Sequence, residues 1–171
     1  MKFFTIKKGY HYSNLSNKIP FLHLFKKSVK HTLYFNESVI YNLNNEDQMD
    51  INKLFGISFG LHHKNSARFG WRWNLEKNKI EILAYIYVDG VRVNEWDVNT
   101  LITDLDPYEV CEMEILKENN NYIFNVFSES KRKKFKKTLK CGKGRFWGYY
   151  LFPYFGGNQV APHDIEINFI K

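Results

Sequence analysis

Two stretches of the chain gather side chains able to bind or move charge. In the first, residues 62–73 read HHKNSARFGWRW. Along an extended backbone, alternation puts Arg68, Gly70 and Arg72 on one face and Phe69, Trp71 and Trp73 on the other. Two guanidiniums on one sheet face suit a carboxylate or sulfate, because each presents a planar fork of N–H donors. His62 or His63 beside them adds a ring that titrates near neutrality and could serve as acid or base. The commoner role for such residues is structural, with arginine stems covering sheet aromatics and the histidines satisfying loop carbonyls.

The second stretch, residues 147–164, reads WGYYLFPYFGGNQVAPHD. An aromatic strand enters a Gly156-Gly157-Asn158 turn, where glycine allows positive φ and close backbone approach. Asp164 could orient the ring of His163, as carboxylates do for catalytic and metal-bound histidines. Spacing places no nucleophile or second ligand beside the pair, so a loop locked by polar side chains is the expectation there. A third set is aromatic. Tyr85 and Tyr87 oppose the aliphatic face of their strand and Trp96 lies on the next one. On a solvent-facing sheet they would form a platform for sugars; under a second layer they would be core. Both readings stay open.

Familiar catalytic signatures are missing. There is no GxSxG, P-loop, HExxH or GxGxxG pattern. No cysteine or histidine grouping has zinc spacing, so neither metal nor cofactor is expected. Cys111 and Cys141 are too few for a disulfide scaffold and are expected as thiols. No closely spaced acidic pair marks a glycosidase, although such carboxylates can be distant in sequence.

The elements that must position these groups are strands. Ile80, Ile82, Ala84, Ile86 and Val88 share one face, and Glu81, Leu83, Tyr85 and Tyr87 the other. Asp89-Gly90 then signals a type I′ hairpin into Val91–Val98. A second hairpin reads as Tyr108–Lys117 against Tyr122–Phe127, turning through Glu118–Asn121. A third clear strand is His163–Ile170, with Ile165, Ile167 and Phe169 inward and Glu166 and Asn168 outward. Weaker candidates are Lys2–Lys7, Thr32–Phe35, Ser38–Tyr41, Ile57–Phe59, Ala67–Trp73, Phe135–Leu139 and Arg145–Phe152. Only Ile19–Lys30 has helical spacing. Turn signals about every ten residues predict an all-β fold, an antiparallel β-sandwich of jelly-roll or concanavalin-like type. About nine to eleven strands and at most one short helix are expected, with the first and last strands as neighbours.

At 171 residues the chain suits a single domain, 1–171. Its apolar fraction of 44% excludes a wholly disordered chain. No apolar run approaches the length of a membrane span, and the N-terminal MKFFTIKKGYHYSN lacks the apolar stretch of a secretory signal. Only three alanines occur, poor material for helices, while aromatics reach 18%. Lys, Asn, Phe, Ile and Tyr, all with AT-rich codons, make up 78 residues, which points to an AT-rich bacterial or viral genome. The net charge of +7 is concentrated. Residues 129–145 hold nine Lys and Arg beside one acid, Glu129, and the remainder is nearly neutral. Lys131, Arg132, Lys133, Lys134, Lys136 and Lys137 form the densest part. They read as an exposed edge armoured against aggregation or as a docking patch for an anionic partner. Direct nucleic-acid recognition is not expected, since no known module or interleaved stacking aromatics accompany them.

The segments HHKNSARFGWRW and YYLFPYFGGNQVAPHDIEI resemble stretches of small, uncharacterised β-sandwich proteins from Bacteroidetes and their tailed, crAss-like phages. That resemblance implies a non-enzymatic accessory protein of a virion, docking on capsid or tail proteins, found in the virion or host cytoplasm. The strand order around the central DG hairpin is also similar to concanavalin-like sandwiches, which include lectin-type modules and polysaccharide lyases. This second likeness implies an alternative, a carbohydrate-binding module or an enzyme acting on an acidic glycan. In lyases of that kind a sheet presents an Arg, a Gln or Asn, a His and a Tyr together. Arg68 or Arg72, His62 or His63, and Tyr85 or Tyr87 map onto three of these roles.

Overall fold

The protein's structure, a computed structural model, describes residues 2–14, 21–93 and 99–170. Thirteen strands follow one another: β1 (Lys2–Ile6), β2 (Leu22–Leu24), β3 (Ser28–Phe35), β4 (Asn52–Ser58), β5 (Ser66–Asn74), β6 (Lys79–Val88) and β7 (Val91–Arg92). The rest are β8 (Leu101–Leu105), β9 (Cys111–Glu118), β10 (Asn121–Ser128), β11 (Lys133–Lys140), β12 (Trp147–Leu151) and β13 (Ile165–Phe169). They form two antiparallel sheets. One has the order β1-β13-β3-β9-β10-β11, and the other β2-β12-β4-β5-β6-β7, with β8 also pairing β6. The expected β-sandwich is the observed one, with slightly more strands than the turn signals suggested. The first and last strands do pair, from Lys2 opposite Phe169 to Ile6 opposite Ile165.

Alternation explains the six-stranded sheet directly. On β10, Tyr122, Phe124 and Val126 are buried while Ile123, Asn125 and Phe127 are half-buried. Cys111, Met113 and Ile115 of β9 and Ile165, Ile167 and Phe169 of β13 join them. The seven-stranded sheet supplies the facing layer, including Ala67, Phe69, Trp71 and Trp73 of β5 and Ile80, Ile82, Ala84 and Ile86 of β6. Aromatic pairs stitch the layers: Phe35 to Trp71 at 5.6 Å, Phe69 to Phe124 at 5.2 Å and Phe59 to Tyr122 at 5.7 Å between ring centroids. Such contacts add about 0.5–1.5 kcal/mol each beyond their area burial.

Turn chemistry fixes register. Asp89 and Gly90 both have positive φ, as a type I′ turn requires. Asn119 and Asn120 do the same between β9 and β10, so that hairpin turns on two residues rather than on the four expected from sequence.

Three local expectations give way to tertiary pairing. The helical spacing of Ile19–Lys30 yields no helix over its described part, residues 21–30. Leu22, His23 and Leu24 pair with Tyr149, Gly148 and Trp147, and residues from Ser28 onward pair with β9. Ser38–Tyr41 is not a strand. A 3₁₀ turn over Glu37–Val39 takes its place, because the Asn36 side chain accepts from the Ser38 N–H at 2.9 Å. Asn168 is buried rather than outward, with Tyr34 of β3 directly opposite it. Of Val91–Val98, Val91 and Arg92 form β7, and residues 94–98 lie outside the described residues. Both cysteines are free thiols. Among the described residues, no helix is long and apolar enough to cross a membrane.

The basic segment is β11, the outer strand of the six-stranded sheet. Lys133, Lys134, Lys136 and Lys140 are exposed, whereas Lys137 is half-buried and donates to the Asn99 carbonyl at 3.0 Å, on the face where Phe135 and Leu139 pack against the core. At its start Lys131 reaches inward to the buried Glu109 carboxylate at 2.9 Å.

Close approach matters most at Gly148, where β12 meets β4. A Cβ there would sit 2.0 Å from the Ser58 carbonyl oxygen. Gly148→Ala is therefore expected to lower stability by about 1–3 kcal/mol, the usual cost of overpacking. Urea unfolding measures it, and an unchanged midpoint would mean that β12 does not lie in this register.

Candidate functional site

The outer face of the seven-stranded sheet is not left to solvent. Ile51, Leu83 and Tyr85 are buried there, with Tyr87 and Leu101 packed against them. A groove of about 590 Å³ lies over this face. Strand alternation aims Arg68 of β5 and Tyr85 and Tyr87 of β6 into it, with Arg68 paired directly opposite Tyr85. Lys53 of β4 enters from the other side, and the loop after β4 adds His62 and His63. Tyr149 and Tyr150 of β12 and Tyr154, just beyond that strand, complete the wall.

Arg68 is the centre of the groove. Its Nη2 donates to the carbonyl oxygen of Phe152, drawing the segment after β12 over the sheet. Burial lowers the guanidinium pKa to about 10, opposed by the nearby phenols of Tyr85, Tyr149 and Tyr154. It therefore stays charged at neutral pH. No Asp or Glu is among the described residues lining the groove, so its surface is cationic and aromatic.

His62 and Tyr149 form the second feature. The Tyr149 hydroxyl oxygen accepts from the His62 backbone N–H at 3.1 Å and lies 2.5 Å from His62 Nδ1. Burial pushes the imidazole down to about 4, with the charges of His63 and Arg68 adding to the effect. The ring is thus neutral near pH 7. In the tautomer that carries the ring proton on Nε2, the Tyr149 hydroxyl donates to Nδ1 while accepting from the backbone N–H. Ser58 holds Tyr149 in place from behind: its Oγ accepts from the Tyr149 N–H at 2.9 Å and donates to the Tyr149 carbonyl at 3.2 Å.

Of the residues singled out from sequence, Arg68, His62, His63, Tyr85 and Tyr87 come together in this groove. Tyr85 is only 9% exposed, so it is a floor residue rather than part of an open platform. Arg72 shares the sheet face of Arg68 but not its role. Its Nε donates to Glu81 at 2.7 Å and its Nη1 to the Met49 carbonyl at 2.8 Å, which makes it the structural member of the pair. His163 is likewise structural: its Nε2 lies 2.8 Å from the Ser38 carbonyl. Asp164 does not orient it, but accepts from Lys7 Nζ and the Lys8 N–H. Trp96 lies outside the described residues.

Sequence reasoning missed Tyr149, Lys53, Tyr12 and Tyr154. Tyr149 stood in an aromatic run, but which ring of that run enters the groove depends on the pairing of β12 with β2 and β4. The Gln or Asn expected beside Arg and His in a lyase-like set is absent from the described lining, and Lys53 stands there as a second cation. Among the described residues, no cluster of three or more His, Cys, Asp or Glu could hold a metal ion.

No protein-family model matches the chain, and no curated protein matches it. A solved structure does. The alginate lyase from Klebsiella pneumoniae is similar in fold, with a TM-score of 0.57 and 12% identity. The match covers 84% of this chain and 57% of that one, so the chain spans little more than half of its structural neighbour. At this identity the likeness concerns the sandwich itself.

The depressed His62 pKa links the site to stability. Its folded value, about 4, lies below the ordinary 6.5. The unfolded chain therefore takes up the proton first as pH falls. The contribution of His62 is complete above about pH 6.5 and is lost as pH falls toward 4. Urea midpoints at pH 7 and 4.5 should fall further for the wild type than for His62→Gln. Equal falls would mean that the imidazole is not held neutral.

Proposed function

We propose that the groove binds an acidic polysaccharide through a uronate carboxylate and cleaves the chain by β-elimination. The observation that carries this reading is the hydrogen-bonded Tyr149–His62 pair beside a half-buried, charged Arg68 in a groove without lining carboxylates among its described residues. A fixed guanidinium suits a carboxylate ligand and would withdraw charge from it, acidifying the neighbouring C–H. Tyr149 oxygen would take that C5 proton as its own proton passes to neutral His62. The C4–O bond then breaks, a C4–C5 double bond forms, and the pair returns one proton to the departing oxygen. No proton is gained or lost overall. Hydrolysis by a carboxylate pair does not fit, since such enzymes need two acids flanking the bond. The fold neighbour's name, an alginate lyase, agrees with a uronate-containing ligand.

The test is an absorbance assay for unsaturated uronate ends on alginate, pectate and hyaluronan. Tyr149→Phe should lower the rate by at least about 100-fold, the lower end of general acid–base contributions. Arg68→Lys should raise KM through loss of the planar fork. Unsaturated ends from none of these polymers, or an unaffected Tyr149→Phe variant, would reject the reading.

A second reading rests on a different observation, the lysine-bearing outer strand β11. It supports a virion accessory protein docking on an acidic capsid or tail surface. Changing Lys133, Lys134, Lys136 and Lys137 to Ser should alter stability by no more than about 0.5 kcal/mol per site. Co-sedimentation with purified particles should then be lost at low salt. Retained binding would leave these lysines as edge protection.

A further inference from the structure

The aromatic residues around Arg68 form a continuous rail that crosses the strands. On the β6 side, the His63 and Tyr87 rings meet edge to face at 5.2 Å, and Tyr87 meets Tyr85 at 6.0 Å. Lys53 Nζ then lies 5.2 Å from the Tyr85 centroid and 5.5 Å from that of Tyr154. Beyond it Tyr154 meets Tyr12 at 5.1 Å and stacks on His11 at 5.0 Å. Topology sets the direction. Tyr85 and Tyr87 belong to β6, Arg68 to β5 and Lys53 to β4, three adjacent strands. Tyr154 bridges to Lys53 on the side of β4 away from β5. Tyr85 and Tyr154 thus stand on backbones three strand spacings apart, and their rings converge on Lys53 Nζ, 5.2 and 5.5 Å from it.

The two ends differ from the middle. Tyr12 is 54% exposed and His63 is exposed, whereas Tyr85 is buried under Lys53 and Arg92. A short ligand centred on Arg68 would leave both outer rings uncovered. One passing over Arg68 in both directions would lay sugar faces on Tyr87 and Tyr12 at once. Tyrosine is suited to this, with an apolar ring for the C–H face of a sugar and a hydroxyl for its polar edge.

We infer that the groove takes an internal stretch of a linear acidic polysaccharide, held on both sides of Arg68 by the Tyr87 and Tyr12 ends of the rail, rather than a chain end or a single sugar. The inference rests on the acidic-glycan reading of the groove. It requires binding but not cleavage. A protein that gripped internal stretches and cleaved them would release long fragments first.

Calorimetric titration with di-, tetra- and hexasaccharide fragments of alginate, pectate and hyaluronan tests it. The hexasaccharide of the recognised polymer should bind at least about tenfold more tightly than its disaccharide. Tyr12→Ala and Tyr87→Ala should each remove part of that gain and weaken the hexasaccharide more than the disaccharide. Affinity that is already complete at the disaccharide, yet lost in Arg68→Met, would overturn the two-sided rail and leave the groove reading standing. A length-dependent gain untouched by both tyrosine changes would also overturn the rail. If no fragment of any length binds, the rail and the acidic-glycan reading fall together.

Discussion

The outer face of this sandwich is organised around one half-buried cation, Arg68. A guanidinium removed from water must recover hydrogen bonds and favourable electrostatics, or its burial is unfavourable. Arg68 does so in part: its Nη2 donates to the Phe152 carbonyl and the phenols of Tyr85, Tyr149 and Tyr154 lie around it, while its buried Nε meets no partner among the described residues. That demand fits the course of the chain after β12, which brings the Phe152 carbonyl to Arg68 and then pairs Tyr154 with Lys53 on the side of β4 away from β5. It also explains why Tyr85, Tyr149 and Tyr154, far apart in sequence, share one groove.

The two sheets show how burial shapes what a sequence reveals. β9 and β10 have one face in the core and the other half-buried, so period-two alternation reads directly on them. The type I′ turn at Asp89-Gly90 was equally legible, because few residues accept positive φ at both positions. β5 and β6 are buried on both faces over much of their length. There alternation still separated Phe69, Trp71 and Trp73 from Arg68 and Arg72, but it could not say that the second face is covered too. Tyr85 consequently looked equally suited to a platform or a core, and is a groove floor.

The same limit applies to the site. Arg68 and Arg72 are indistinguishable by type and spacing, and differ only in what the fold sets beside them. Glu81 neutralises Arg72, while Arg68 meets only a carbonyl and phenols. Likewise the HD dipeptide at residues 163–164 has the composition of a catalytic pair, yet each member is spoken for by a loop contact. Tyr149 carried no local signal at all, because its partnership with His62 spans 87 residues. The helical spacing failed over residues 21–30 for a related reason: a short amphipathic pattern yields to strand pairing, here with β12 in one sheet and with β9 in the other.

The central claim is that the anion-binding surface of this protein is the Arg68 groove rather than the lysine edge of β11. Two-dimensional NMR of arginine side-chain N–H groups and backbone amides, recorded while an alginate hexasaccharide is added at physiological salt, tests it directly. The account predicts saturable shifts of the Arg68 guanidinium together with the amides of His62 and Tyr149. Shifts confined to Lys131–Lys140, with Arg68 unmoved, would contradict it.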